Sequence, residues 1–190
     1  MVAMKSQKSF TLIELLVTVT IFSLIVGAAS GVFISALKAQ RKSLSMQELL
    51  GQTSFLMEYM SRAIRMAKKD IDGNCISAKL NYEKTTSGTG GMRFKNYQGT
   101  YCQEFFREWD AASSKYRLKE WKKEISTGAI TTNYLTSPSL NVTSFNIGPD
   151  ESWDQNDNDQ PRVTFFLKIE GKEKSKINLQ TTISQRNLDI

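Results

Sequence analysis

Residues 8 to 37, KSFTLIELLVTVTIFSLIVGAASGVFISAL, limit what this chain can be more than any other stretch of it. Between residues 15 and 37 there is no Asp, Glu, Lys or Arg. As a helix rising roughly 1.5 Å per residue, that run spans about 34 Å. The hydrocarbon core of a bilayer is about 30 Å thick, so the run is long enough to cross it. One charge sits just inside its start, Glu14. A carboxylate buried in lipid costs several kcal/mol, from about 2.5 upward, and acids kept in such places mark function.

Only Lys5 and Lys8 carry charge ahead of the run. A secretory signal would pair a basic start with about 7 to 15 apolar residues and a closing A-x-A pattern. Here the run is longer and no such pattern follows it, so the expectation is a membrane anchor over residues 10–37. Lys38, Arg41 and Lys42 lie on its far side, and charge bias alone does not set its direction.

The rest of the 190 residues suits one domain of ordinary size. The formal charge of +6 becomes +6 − 2 = +4 without the first nine residues. KYRLKEWKKE, residues 115 to 124, mixes acids among its bases. It reads as a solvated strand face or an edge, and no nucleic-acid partner is indicated. The chain has no histidine, which removes the commonest general base and metal ligand. It has no G-x-S-x-G, no H-E-x-x-H and no clustered cysteines. TTSGTGG, residues 85 to 91, lacks the Gly-Lys-Ser/Thr ending of a phosphate loop and reads as a plain loop. The expectation is a protein that is not an enzyme and needs no cofactor or metal.

From Lys38 to about Lys69 the pattern turns amphipathic. Met46, Leu49, Leu50, Thr53, Leu56, Met57, Met60, Ala63, Ile64 and Ala67 recur at spacings of three and four, a helical stripe. No proline precedes Pro138, so one helix is expected to run on to about residue 70 and end at DIDGN. An antiparallel β-sheet should cover the stripe. PRVTFFLKIE alternates Val163, Phe165, Leu167 and Ile169, and KINLQTTISQ alternates Ile177, Leu179, Thr181 and Ile183. EGKEK between them is a turn, so the two read as a hairpin. CISAKLNY, MRFKNY, TYCQEFF and SLNVTSFNI are further strand candidates, the last with a bulge. The expected division is residues 1–9, 10–37, 38–70 and a β domain over 71–190, an α+β plan.

Ser9-Phe10-Thr11-Leu12-Ile13-Glu14 resembles the cleavage and methylation signal of type IV prepilins and type II secretion pseudopilins. In that family a short basic leader ends in a small residue, usually Gly, where this chain has Ser9. The resemblance implies cleavage between Ser9 and Phe10 by a prepilin peptidase, N-methylation of Phe10, and an assembly role for Glu14 five residues into the mature chain. It implies a pilin-like fold, a long N-terminal helix packed on an antiparallel sheet. It also implies a cytoplasmic leader, a single pass through the bacterial inner membrane, and an outer domain that enters a cell-surface or periplasmic filament. The implied partners are other pilin or pseudopilin subunits, the peptidase/methyltransferase and membrane lipid. FLMEYMSRAIRMAKKD and QTTISQRNLDI look most like J-type pseudopilins or W-type minor pilins.

Physical chemistry gives Glu14 a reason within that scheme. A cleaved Phe10 carries a free amine, and a neighbour's carboxylate could neutralise it only in the assembled filament, fixing register. Gly27 and Gly31 form a small-xxx-small pair that lets helices approach closely. The alternative reading is a tethered adhesin or glycan-binding protein, with Trp109, Trp121 and Trp153 as candidate ring surfaces. Cys75 and Cys102, both beyond the anchor and so in a compartment that permits disulfides, are expected to bridge; the alternative is two separate buried thiols. GPDESWDQNDNDQP, residues 148 to 161, is rich in acids but lacks the EF-hand spacing, and is expected to be a solvated loop without tight calcium binding.

Overall fold

The computed structural model describes residues 11–149, 153 and 160–186. Two compact units divide between Ser43 and Leu44, within one helix, α1 (Leu12–Arg65). The second unit adds eight strands: β1 (Glu83–Thr85), β2 (Gly91–Lys95), β3 (Tyr101–Asp110), β4 (Lys115–Glu124), β5 (Ile130–Tyr134), β6 (Asn141–Gly148), β7 (Arg162–Glu170) and β8 (Lys176–Ser184). All pairings are antiparallel. The expected single sheet is two sheets, β1-β2-β3-β4-β5 and β6-β7-β8.

In the second unit α1 buries Ser45, Leu49, Thr53, Leu56, Met60 and Ile64, and Ala67 follows them into the core. The spacing of four, four and three keeps every member on one line. Leu50, assigned to the stripe on sequence, lies off that line and is 45% exposed. One hydrophobic cluster joins the line to both sheets, through Met92, Phe94, Phe105 and Leu118 on one and Val142, Phe165, Leu167 and Ile169 on the other. The helix stops at Arg65, short of the expected residue 70. Its last carbonyls and one just beyond them are already taken: Tyr82 Oη donates to Ile64 O, the Arg186 amide to Arg65 O, and Gln185 Nε2 to Ala67 O past the helix end. Those partners satisfy groups that a helix end otherwise leaves orphaned.

The β7–β8 hairpin forms in the register its alternation implies, with Val163 opposite Ile183 and Ile169 opposite Ile177. Its turn needs Gly171, where a Cβ would meet Ser175 Oγ at 2.6 Å. Ser45 on α1 donates to Lys172 O in the same turn, tying helix and hairpin together. β6 carries the expected bulge, between Val142 and Ser144.

One strand expectation fails, and another is met only in part. CISAKLNY forms no strand, because the Asp70 carboxylate draws in its first amides: Cys75 N and Ile76 N donate to Oδ2 at 2.6 and 3.1 Å. Lys79 then turns with φ of 68° and donates its amide back to Asp70 O. KYRLKEWKKE is not an edge. As β4 it lies between β3 and β5, and Leu118 and Glu120 in it are buried.

Candidate functional site

The polar marks in the first unit begin with Thr11 and Glu14. Thr11 stands just before the first helical residue, and its Oγ1 accepts the Glu14 amide at 3.3 Å. The Glu14 carboxylate reaches back to the Thr11 amide at 3.2 Å and to its hydroxyl at 3.1 Å. This reciprocal pair is a capping box, and it satisfies helix-start donors that have no partner in the helix. A carboxylate in the first turn also meets the positive end of the helix dipole. The T-x-x-E spacing was legible in the sequence, and Thr11 is the residue that reading passed over.

Beyond Glu14 the first unit offers side chains a lipid solvent accepts. Leu16, Phe22, Leu24, Ile25 and Phe33 are among its exposed apolar residues. The apolar stretch of α1 is unburied among the described residues and suits a membrane span by length and composition. Thr18, Thr20, Ser23 and Ser30 each donate a hydroxyl to a helix carbonyl three or four residues earlier. None of these four leaves a bare donor toward lipid, where an unmet polar group costs several kcal/mol. Gly27 and Gly31 have open space where a Cβ would stand, so nothing among the described residues requires either to be glycine. Ser9 and Phe10 lie outside the described residues.

In the second unit Cys75 and Cys102 form a disulfide, with Cα atoms 5.2 Å apart. Beside it Lys95 Nζ meets Asp70 Oδ1 at 3.1 Å. Burial alone would raise the Asp70 carboxyl, but the Cys75 and Ile76 amides and the Lys95 ammonium outweigh it and hold the group below its ordinary value. Among the described residues no group of acids and cysteines could hold a metal ion. The acidic segment lies mostly outside the described residues, so its calcium expectation does too.

The tryptophans do not converge. Trp153 is buried, edge-on to Tyr82, with Nε1 donating to Arg162 O. Trp109 and Trp121 occupy opposite faces of one sheet, since Trp109 pairs with Tyr116 and Trp121 with Glu104. The bases of β4 are largely engaged: Arg117 with Asp110 at 3.0 Å, Lys119 with Glu108 at 2.6 Å, Lys122 with Glu120 at 3.0 Å.

A groove of about 730 Å³ opens between α1 and this sheet. Gln103, Lys122 and Thr131 lie in one cross-strand row on its floor, and Tyr59, Ala63 and Met66 form the helix side. Glu120 Oε1 accepts from both Tyr59 Oη and Gln103 Nε2, each at 2.5 Å. Burial and that carboxylate raise the Tyr59 pKa. The Lys122 pKa is raised too: burial works against its charge, but the bonds to Tyr59 and Glu120 prevail.

Residues 4–30 match the family described as the prokaryotic N-terminal methylation motif. No curated protein and no solved structure matches the chain. The matched stretch contains Ser9, Phe10, Thr11, Glu14 and Gly27, so the motif and the capped apolar helix coincide. The motif supports a type IV pilin-like precursor, and the apolar helix fits a membrane anchor by length and composition.

Proposed function

We propose that this protein is a minor subunit of a type IV pilus or of a type II secretion-like filament. In this reading the peptidase cuts between Ser9 and Phe10, Phe10 is N-methylated, and Gly27 and Gly31 admit a neighbour's helix. The single pass leaves the second unit outside the inner membrane before the subunit enters the filament. The observation that carries the reading is the coincidence of the methylation motif at residues 4–30 with an apolar helical stretch, residues 12–43, whose one acid, Glu14, lies at its capped start.

Glu14 then has two separable tasks. Within its own chain it caps the helix through Thr11. Between chains it neutralises the Phe10 amine of a neighbour, so two charges costly in an apolar surround become acceptable together. Glu14→Gln separates the tasks, because glutamine also serves in a capping box but carries no charge. The variant should insert and be cleaved as the parent chain is, while its share in sheared filaments falls at least tenfold. Glu14→Ala, which loses both tasks, should do no better. Incorporation of Glu14→Gln at the parental level would refute the pairing and leave only a capped anchor. Blocking cleavage with Ser9→Trp should hold the uncut form in the membrane.

A further inference from the structure

We propose that β5 is a docking edge, to which an extended, acidic segment of a partner polypeptide adds as a further strand with alternate apolar side chains in the adjacent groove. Exposed sheet edges invite such pairing, and proteins blunt them with charge, brevity, bulges or cover. The other edges here show those devices. β1 is three residues long. β6 is bulged, and Arg107 donates to the carbonyls of Val142 and Thr143. β8 begins with Lys176, paired with Glu170. β5, Ile130-Thr131-Thr132-Asn133-Tyr134, has none: it is exposed throughout and lies within residues 125–149, where no charged residue occurs.

The register shows which groups are free. Leu135 N donates to Leu118 O and Glu124 N to Ala129 O, so the hydrogen-bonded pairs with β4 fall at 129, 131, 133 and 135. The amides and carbonyls of Ile130, Thr132 and Tyr134 therefore point away from β4, and no main-chain bond to them is present among the described residues. An added strand would take these groups as its ladder. Its side chains on the Thr131 face would meet the groove, walled by Tyr59, Ala63 and Met66, so main-chain bonds and side-chain pockets coincide as strand addition requires.

Charge selects the partner. Behind this edge Lys119 and Lys122 are paired with Glu108 and Glu120. Lys123, opposite Ile130 on the face away from the groove, has no carboxylate partner among the described residues, so an acid alternating with the apolar side chains of the added strand would meet it.

The test uses the full chain in detergent and a displayed library of random twelve-residue peptides. Enriched peptides should alternate apolar residues at i, i+2 and i+4 and carry acids. Synthetic versions should lose at least tenfold in affinity on Thr132→Pro, which removes an outward amide, and on Ala63→Trp, which fills the groove. Thr132→Val keeps the amide and should bind as the parent chain does. All three variants should melt cooperatively near the parental temperature. Overturning results are no enrichment over an unrelated anchored protein, equal binding to Thr132→Pro, or dimerisation through β5 that this variant abolishes.

Discussion

The two halves of α1 obey different rules. From Leu44 to Arg65 the buried line of Ser45, Leu49, Thr53, Leu56, Met60 and Ile64 answers to the chain's own sheets. From Leu12 to Ser43 the apolar residues are uncovered among the described residues, and Leu24 remains 74% exposed. A substitution in the first region is thus read by folding. One in the second, in the proposed reading, is read by lipid and neighbouring chains. The same residue type means different things a few turns apart.

The largest effect expected breaks or upholds that contrast directly. Leu56→Ala removes a core side chain that is 2% exposed and should cost about 3 kcal/mol. Leu24→Ala should leave the denaturant midpoint of the second unit unchanged. If Leu24→Ala were as costly, the two halves would be one folding unit and the contrast would fail. Fluorescence of Trp153, packed against Tyr82 in the core, is a suitable probe.

Next in size is the disulfide, which closes a loop with a sequence separation of 27. Removing it as Cys75→Ser with Cys102→Ser should cost about 3 kcal/mol through the unfolded chain. Two alkylatable thiols in the unreduced, denatured protein would show that the bridge does not form.

A smaller effect depends on pH. Asp70 is wholly buried against Lys95 and two amides, and its folded pKa lies below the ordinary 3.8. A group depressed in the folded state stabilises fully above its unfolded pKa and loses that stabilisation as pH falls through the folded value. Asp70→Asn should therefore cost about 2 kcal/mol at neutral pH. The gap between variant and parent should narrow only below about pH 4. A gap constant down to pH 2 would mean that the charge contributes nothing.

The regions also differ in how far the sequence disclosed them. The apolar half of α1 was legible because its uncharged run and the T-x-x-E spacing at its start both stand in the sequence. The β7–β8 hairpin was legible because strict alternation marks one face. CISAKLNY misled because its strand-like residues answer to Asp70, which precedes them, and no pattern within the segment reports a carboxylate outside it. β5 escaped notice because its five exposed residues alternate in nothing. The helix end was placed late because the groups that stop it, Tyr82, Gln185 and Arg186, are distant in sequence.

The smallest effect probes the first turn of the membrane half, where folding and assembly meet on one side chain. Thr11→Ala removes the hydroxyl that accepts the Glu14 amide, and a lost cap costs about 1 kcal/mol. That loss is local. It should fray the start of α1, raising amide exchange at Leu12 to Leu15, while the melting temperature of the second unit stays fixed. Glu14 keeps its charge in this variant, so filament incorporation should drop no more than a few-fold, against at least tenfold for Glu14→Gln. The order of these two decides what the acid is for. If Thr11→Ala proves the more damaging to assembly, the cap governs entry into the filament, and the charge of Glu14 serves the helix of its own chain rather than the amine of its neighbour.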